Sequence, residues 1–382
     1  MHILNALIMT AVLPVLSGVE GAQDAETLVR RAEIKLQDRD PEGALADFTQ
    51  AISVDSRCAP AYFGRGQIHA NKGRFEQALA DYSKAIDSDP KFAKAWFGRG
   101  MLRTYTGDTD GALGDFSKAV EADPNYTLAW FNRALLRLNR KEYDAAVADY
   151  TKAITLKPQD ADMYVGRGNA HAAKGDHDKA IADYAKAIEI KPASSAAYVY
   201  KGDSEMKKGD PIGAMLTFTK AIEVNPKDAE AYYFRGYANY DRRAWKEAGE
   251  DFQKAYGLNR LSEFRTDMLQ LRLWVIQARA GQAADANKAL KLYATKEHRG
   301  RPGDWFNQIA SFLMGEQTEE QFLNLAGNKD LICDAHFYAG VKKVIAKDKA
   351  AAKAHFKKAI DSGASGSSEY WSAMAELEGV DK

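Results

Sequence analysis

The stretch ALADFTQAISVDS, which begins at Ala44, returns 34 residues later as ALADYSKAIDSDP from Ala78 and again as ALGDFSKAVEADP from Ala112. The phrase recurs from Ala146, Ala180, Ala214 and Ala248 at the same 34-residue step, so seven units run from Ala25 to Ser262 without an insertion. Self-similarity at a fixed period of this length marks an array of small supersecondary units. Each unit reads as two antiparallel helices. In the third, Trp96, Gly100 and Arg103 fall at helical spacing, Gly107 interrupts, and Ala112, Phe116 and Ala119 mark a second helix. Gly73, Gly107, Gly175 and Gly209 suit the left-handed residue that ends a helix. Pro90, Pro124, Pro158, Pro192 and Pro226 close the second helices, because the residue before a proline is pushed out of helical geometry. One hairpin cannot bury its apolar face alone, so neighbours must stack.

The recurring Trp/Tyr, Gly, Ala, Phe/Tyr, Ala and Pro positions over residues 23–262 resemble the tetratricopeptide repeat. The resemblance implies an all-α, right-handed α-solenoid of helical hairpins, with a concave groove lined by the first helices, and a binding scaffold rather than an enzyme. Residues 263–366 read as degenerate hairpins of the same kind. Gly281 and Ala286 keep the pattern, Pro302 and Gly303 break it, and His336, Gly340, Ala352, Phe356 and Ala359 restore it. Residues 367–382 predict a capping helix, Glu369 to Leu377, started by Ser368, and a tail. Arg272-Leu273-Trp274, then Trp305, Phe312, Gly315 and the run from Ala335 to Gly340, are similar to the C-terminal part of the bacterial NlpI-type envelope lipoproteins. That resemblance implies partners among cell-wall hydrolases or a periplasmic protease. The lipidated Cys of that family has no counterpart near the start of this sequence.

Composition narrows the function. The 382 residues carry 53 Lys and Arg against 53 Asp and Glu, a balance unlike the basic surplus of a nucleic-acid binder. With 46% hydrophobic and 28% charged residues, the chain has enough apolar material for a core. Its two cysteines, Cys58 and Cys333, form no CxxC, which excludes a disulfide framework or a Cys-type zinc site. Residues 1–22 read as a cleaved signal peptide. The stretch from Ile3 to Gly18 is apolar and uncharged, too short for a membrane span of ~20 residues but suited to a secretory signal. A periplasmic or secreted chain is the expectation, with a retained anchor as the alternative; oligomeric state is left open.

Two rows of residues carry the chemistry. Seven residues into each unit stand Arg31, Arg65, Arg99, Arg133, Arg167, Lys201 and Arg235, and twenty-three residues in stand Asp47, Asp81, Asp115, Asp149, Asp183, Thr217 and Asp251. The unit that lacks Asp also lacks Arg, so the rows are expected to pair across the hairpin, Arg65 with Asp81, Arg99 with Asp115, Arg133 with Asp149 and Arg167 with Asp183. The second row is a candidate groove lining: Phe63, Phe97, Met101, Tyr105, Phe131, Leu135, Tyr233, Tyr237 and Tyr240, with Asn71, Asn139 and Asn169 nearby. Aromatic anchors with amides to bond a peptide backbone suit a bound protein segment. The competing reading packs these aromatics against neighbouring repeats or against the C-terminal segment.

Other signals weigh less. Gly64-Arg65-Gly66, Gly98-Arg99-Gly100 and Gly166-Arg167-Gly168 follow no strand and are not dinucleotide fingerprints. No metal, cofactor or catalytic set is expected. Where tetratricopeptide co-chaperones clamp a terminal carboxylate, this chain has Phe63, Phe97, Phe131 and Val165. The leading reading is therefore a protein-binding adaptor of the cell envelope. The alternatives are an envelope enzyme with its site in residues 263–332, offering Glu297, His298, Asp304 and Glu319, and a structural assembly element.

Overall fold

The computed structural model describes residues 24–297 and 304–380, which contain 21 helices and no strand. Residues 1–22, where a signal peptide is expected, lie outside the described residues, as do His298 and the Pro302–Gly303 break. The chain forms two compact units, one ending at Lys174 and one beginning at Gly175.

In the first unit, α1 (Ala25–Gln37) and α2 (Pro41–Val54) form one hairpin, followed by α3 (Ala59–Asn71) with α4 (Phe75–Ser88). Then come α5 (Ala93–Thr106) with α6 (Thr109–Ala122), α7 (Thr127–Asn139) with α8 (Tyr143–Leu156), and α9 (Ala161–Lys174). The second unit opens with α10 (His177–Ile190) and continues with α11 (Ser195–Lys207) and α12 (Pro211–Val224), then α13 (Ala229–Asp241) and α14 (Trp245–Gly257). Beyond residue 262, α15 (Glu263–Arg279) pairs with α16 (Ala283–Glu297). After α17 (Trp305–Met314) and α18 (Glu319–Leu323), α19 (Lys329–Ile345) pairs with α20 (Lys349–Asp361), and α21 (Ser368–Gly379) ends the fold.

The helices start where the sequence dictates. Asp40, Asp108 and Asp210 each accept a hydrogen bond at 2.8–2.9 Å from the backbone N–H of Gly43, Gly111 and Gly213, which caps the second helix of their repeats. Between the first and second helix of each of the seven repeats stands one left-handed residue, at positions 39, 73, 107, 141, 175, 209 and 243. Glycine supplies four of these, whereas Arg39, Lys141 and Arg243 adopt φ of 61–63° with a side chain attached. At the far end, Asp89, Asp123, Lys157, Lys191 and Asn225 sit with ψ between 78° and 97° ahead of the prolines, which ends each second helix. The indoles of Trp96 and Trp130 then donate to the carbonyls of Pro90 and Pro124 at 2.9 Å, tying the next helix to that break.

Packing within each repeat is set by small residues under rings. Ala44, Ala51 and their equivalents are fully buried, and Phe48, Tyr82, Phe116, Tyr150, Phe218 and Phe252 fill the space between helices. A Cβ on Gly236 would meet the Phe252 ring at 2.6 Å, so the ring and the absent side chain are complementary. The last helix starts one residue earlier than expected. Ser367, not Ser368, is its cap and accepts from the Glu369 N–H at 3.1 Å.

Candidate functional site

The arginine row is built into the hairpins. Arg65 donates Nε to Asp81 Oδ2 at 2.9 Å and Nη2 to Oδ1 at 2.7 Å. Arg99 does the same with Asp115 at 3.0 and 2.8 Å, and Arg133 with Asp149 at 2.8 and 2.7 Å. Arg31 with Asp47 and Arg235 with Asp251 repeat the geometry. This two-point bond uses the planar fork of guanidinium, which an ammonium lacks. From the second repeat on, Arg65, Arg99, Arg133 and Arg235 also lie near the ring four residues into their own repeats, with Arg133 4.7 Å from the Trp130 centroid. The remaining guanidinium nitrogen crosses to the preceding repeat. Arg99 Nη1 donates to Ser83 Oγ at 2.9 Å, Arg133 to Ser117 at 3.3 Å and Arg235 to Thr219 at 3.3 Å. Arg167 reaches Thr151 Oγ1 at 3.2 Å in the first unit, and Asp183 is buried on α10 in the second.

A second polar group escaped the sequence reading. Eleven residues into four of the repeats stand Lys35, Arg103, Arg137 and Asn239, each bonding its repeat's aspartate at 2.7–3.0 Å, while the second and fifth repeats carry His69 and His171 there. The hydrogen bond from Arg31 is the main reason the Asp47 carboxyl titrates below its ordinary range. In the sixth repeat the carboxylate has moved to this slot. Glu205 pairs with Lys201, and Lys201 Nζ also lies 3.3 Å from Thr217 Oγ1. The signal was in the sequence, since Glu205 is the lone acid among the cations and amides at that spacing.

The expected aromatic lining divides. Phe97 is 3% exposed and does not face a groove. It packs 5.6 Å from Phe116 and 5.0 Å from Tyr126, between its own second helix and the start of the next repeat. Phe63 and Phe131 are half-buried in the equivalent place, against Tyr82 and Phe92 and against Tyr150. A Cβ on Gly98 would come within 3.1 Å of Phe63, which shows how closely the next repeat lies over it. The fifth position of each repeat is thus a seam between repeats. What remains open in the first unit is the ninth and thirteenth positions: Met101 half-buried, Leu135 40% exposed, and Tyr105 71% exposed with its ring 5.2 Å from Phe75. Asn71 and Asn139 are exposed at the positions that correspond to Tyr105 on α3 and α7.

Tyr233, Tyr237 and Tyr240 also depart from the expectation, being 5%, 4% and 1% exposed. They are covered by the C-terminal part of the second unit. Arg272 on α15 is fully buried, with its guanidinium 5.0 Å from Tyr237, 4.6 Å from Tyr240 and 4.2 Å from Phe337 on α19. Its Nη2 donates to Glu369 Oε1 on α21 at 3.0 Å, and Tyr338 donates to the same oxygen at 3.3 Å. Seven residues along both helices, Arg279 pairs with Glu376, which also accepts from the Tyr240 hydroxyl at 3.3 Å. Ser372 donates to Asp241 at 2.7 Å. Burial pushes the Asp241 carboxyl up to about 7 and that of Asp334, beside Glu369, up to about 8. An arginine inside the apolar run from Leu269 to Ile276 was the available clue.

The fold and its repeating core match a known family. A tetratricopeptide repeat profile matches residues 29–92, 69–127, 97–161, 131–195 and 201–263, more than half of the chain. The chain belongs to the tetratricopeptide repeat family. Among solved tetratricopeptide structures it is similar to YrrB, a protein with an unusual peptide-binding site, at 24% identity over 48% of this chain and 95% of that one, TM-score 0.45. It is similar to a tetratricopeptide protein from Parabacteroides merdae at 21% identity over 65% of this chain and 98% of that one, TM-score 0.46. MamA matches at 30% identity over 43% of this chain and 96% of that one, TM-score 0.41. No curated protein matches.

For other chemistry, Glu319 is held by Lys343 at 2.9 Å and His355 at 3.2 Å, and His355 shares a 3.0 Å Nδ1–Nδ1 hydrogen bond with His336. Asp304 caps α17. Among the described residues, no group of three or more His, Cys, Asp or Glu could hold a metal, and no helix is long and apolar enough to cross a membrane. Cys333 is fully buried and Cys58 half-buried, both as free thiols.

Proposed function

We propose that this tetratricopeptide protein is a non-enzymatic adaptor of the bacterial cell envelope that holds segments of partner proteins. The observation that carries the binding role is the open ridge of the first unit, where Tyr105 and Leu135 stand exposed on first helices and half-buried Met101 lies one turn before Tyr105. An exposed tyrosine offers the anchor type that dominates interface energetics. Exposed Asn71 and Asn139 add amides able to bond a peptide backbone. The envelope assignment is supported by the apolar, uncharged stretch from Ile3 to Gly18. The NlpI-type resemblance of the C-terminal residues adds cell-wall hydrolases or a periplasmic protease as partners.

Selection of displayed peptides on the full chain tests the binding role. Enriched peptides are expected to carry apolar anchors and to lose binding at least tenfold when Tyr105 and Leu135 are changed to Ser. Unchanged binding by that variant, at an unchanged melting temperature, would refute the ridge as the site. Mass spectrometry of the chain recovered from the periplasm tests the address, with cleavage near residue 22 expected.

A further inference from the structure

The seat beneath α21 has the composition of a binding site, and α21 has the composition of a ligand. The seat presents Arg272, Arg279 and Arg243 among the rings of Tyr240, Trp245 and Tyr338, with Arg279 4.6 Å from the Trp245 centroid. Arginine and large aromatics are the residues enriched at interface hot spots. Polar side chains make up most of the occupant's buried stripe. Its fully buried side chains are Glu369, Ser372, Ala373 and Glu376, whereas Tyr370, Trp371 and Leu377 are half-buried and Met374 is exposed. Tyr370 and Leu377 pack against the core from its edge and Val380 is buried just past the helix, while Met374 faces away.

Charge sets the register of the fit. Arg272 and Arg279 are seven residues apart on α15, Glu369 and Glu376 are seven apart on α21, and each arginine meets one glutamate. Seven residues is two helical turns, so both pairs lie along one stripe of each helix. The fit is incomplete: Arg272 Nε and Nη1, Arg279 Nε and Glu376 Oε2 find no hydrogen-bond partner among the described residues. Buried charges left partly unsatisfied weaken docking relative to an apolar contact. The connection to α20 is six residues, Ser362 to Ser367, of which two are Gly and three are Ser.

We propose that α21 is a releasable internal ligand, and that its seat, the arginines of α15 with the flanking surfaces of α13, α19 and α20, accepts in trans a partner helix bearing two carboxylates seven residues apart. Binding such a helix would exchange an intramolecular acidic stripe for an intermolecular one on the same arginines. This deepens the protein-binding reading and rests on it, but it concerns the second unit alone.

Hydrogen exchange and peptide binding on the full chain test it. In the unaltered chain, amides of α21 are expected to exchange at least tenfold faster than those of α15 and α19, because α21 opens without them. Equal protection of the three helices would overturn the proposal. Glu369→Gln with Glu376→Gln, made together, is expected to strip protection from α21 while α15 and α19 keep theirs. That variant should bind a labelled peptide of residues 367–380 at least tenfold more tightly than the unaltered chain does. The same peptide with both glutamates changed to glutamine should not bind. Loss of α15 and α19 protection in the variant would make α21 a core element, and equal binding of the two peptides would remove charge as the recognition chemistry; either result overturns the proposal. None of these readouts involves Tyr105 or Leu135, so failure here and failure of the first-unit ridge are separable.

Discussion

Arg133 and Asp149 join the two helices of the fourth repeat through a pair of hydrogen bonds, Nε to Oδ2 at 2.8 Å and Nη2 to Oδ1 at 2.7 Å, with both residues buried. The aspartate also receives Arg137 at 2.7 Å. Changing Asp149 to Ala strands two cations in a dry seam and is expected to cost about 3–5 kcal/mol. The same change at Asp47 should cost only about 1 kcal/mol, because the Arg31 side chain is 38% exposed and can regain water. Urea unfolding of the two variants checks the ratio, and equal losses would remove burial as the cause.

The sixth repeat offers a rewiring experiment. Thr217→Asp alone places a second carboxylate beside Glu205 with only Lys201 between them, and is expected to destabilise by about 1–3 kcal/mol. Adding Lys201→Arg and Glu205→Asn copies the seventh repeat, where Arg235 and Asn239 share Asp251. The triple variant should recover the parent melting temperature. If the single and triple variants melt together, the pairing logic fails.

Lys141 occupies a left-handed turn at φ 62°, where the equivalent residue in the preceding repeat is Gly107 at 87°. Lys141→Gly is expected to stabilise the protein by about 1 kcal/mol, since the strain of a side chain at positive φ of about 1–2 kcal/mol is partly offset by the greater freedom of an unfolded glycine. Gly107→Ala should move the midpoint of thermal unfolding the other way.

Alkaline pH should loosen the second unit. The Asp334 carboxyl is raised to about 8 by burial and by the nearby Glu369 charge, against about 4 in an unfolded chain. A raised folded value means stability is fully present below pH 4 and is lost as pH climbs toward 8, by on the order of 1–2 kcal/mol between pH 6.5 and 8. His336, lowered to about 4 by burial and by His355, acts in the opposite sense and only below about pH 6.5, so it does not enter this window. Asp334→Asn keeps an oxygen to accept from Trp305 and should reduce the alkaline decline in melting temperature, leaving the smaller part that Asp241, raised to about 7, contributes in the same sense.

The hairpins and the Arg–Asp rows were legible because both are local: a 34-residue step and a partner 16 residues away appear in any window of one repeat. Phe97 was misplaced because its neighbours include Tyr126 at the entrance of the next repeat, and helical spacing within one hairpin does not report which face the next one covers. Tyr240 was further out of reach. Its cover comes from Glu376, 136 residues later, on a helix whose polar buried stripe resembles a solvent-facing one when read alone. Tyr105 and Leu135 remained exposed because the ninth and thirteenth positions of their helices lie clear of both seams.

The bonds from Arg99 to Ser83, Arg133 to Ser117 and Arg235 to Thr219 present the same donor and the same kind of hydroxyl at each joint. A gene losing or gaining one in-frame block of 34 codons between the second and fourth repeats would rejoin like ends, so length can drift there without a new fold having to be found. The tail beyond residue 262 has no such freedom, since Arg272 meets Glu369 only at one separation.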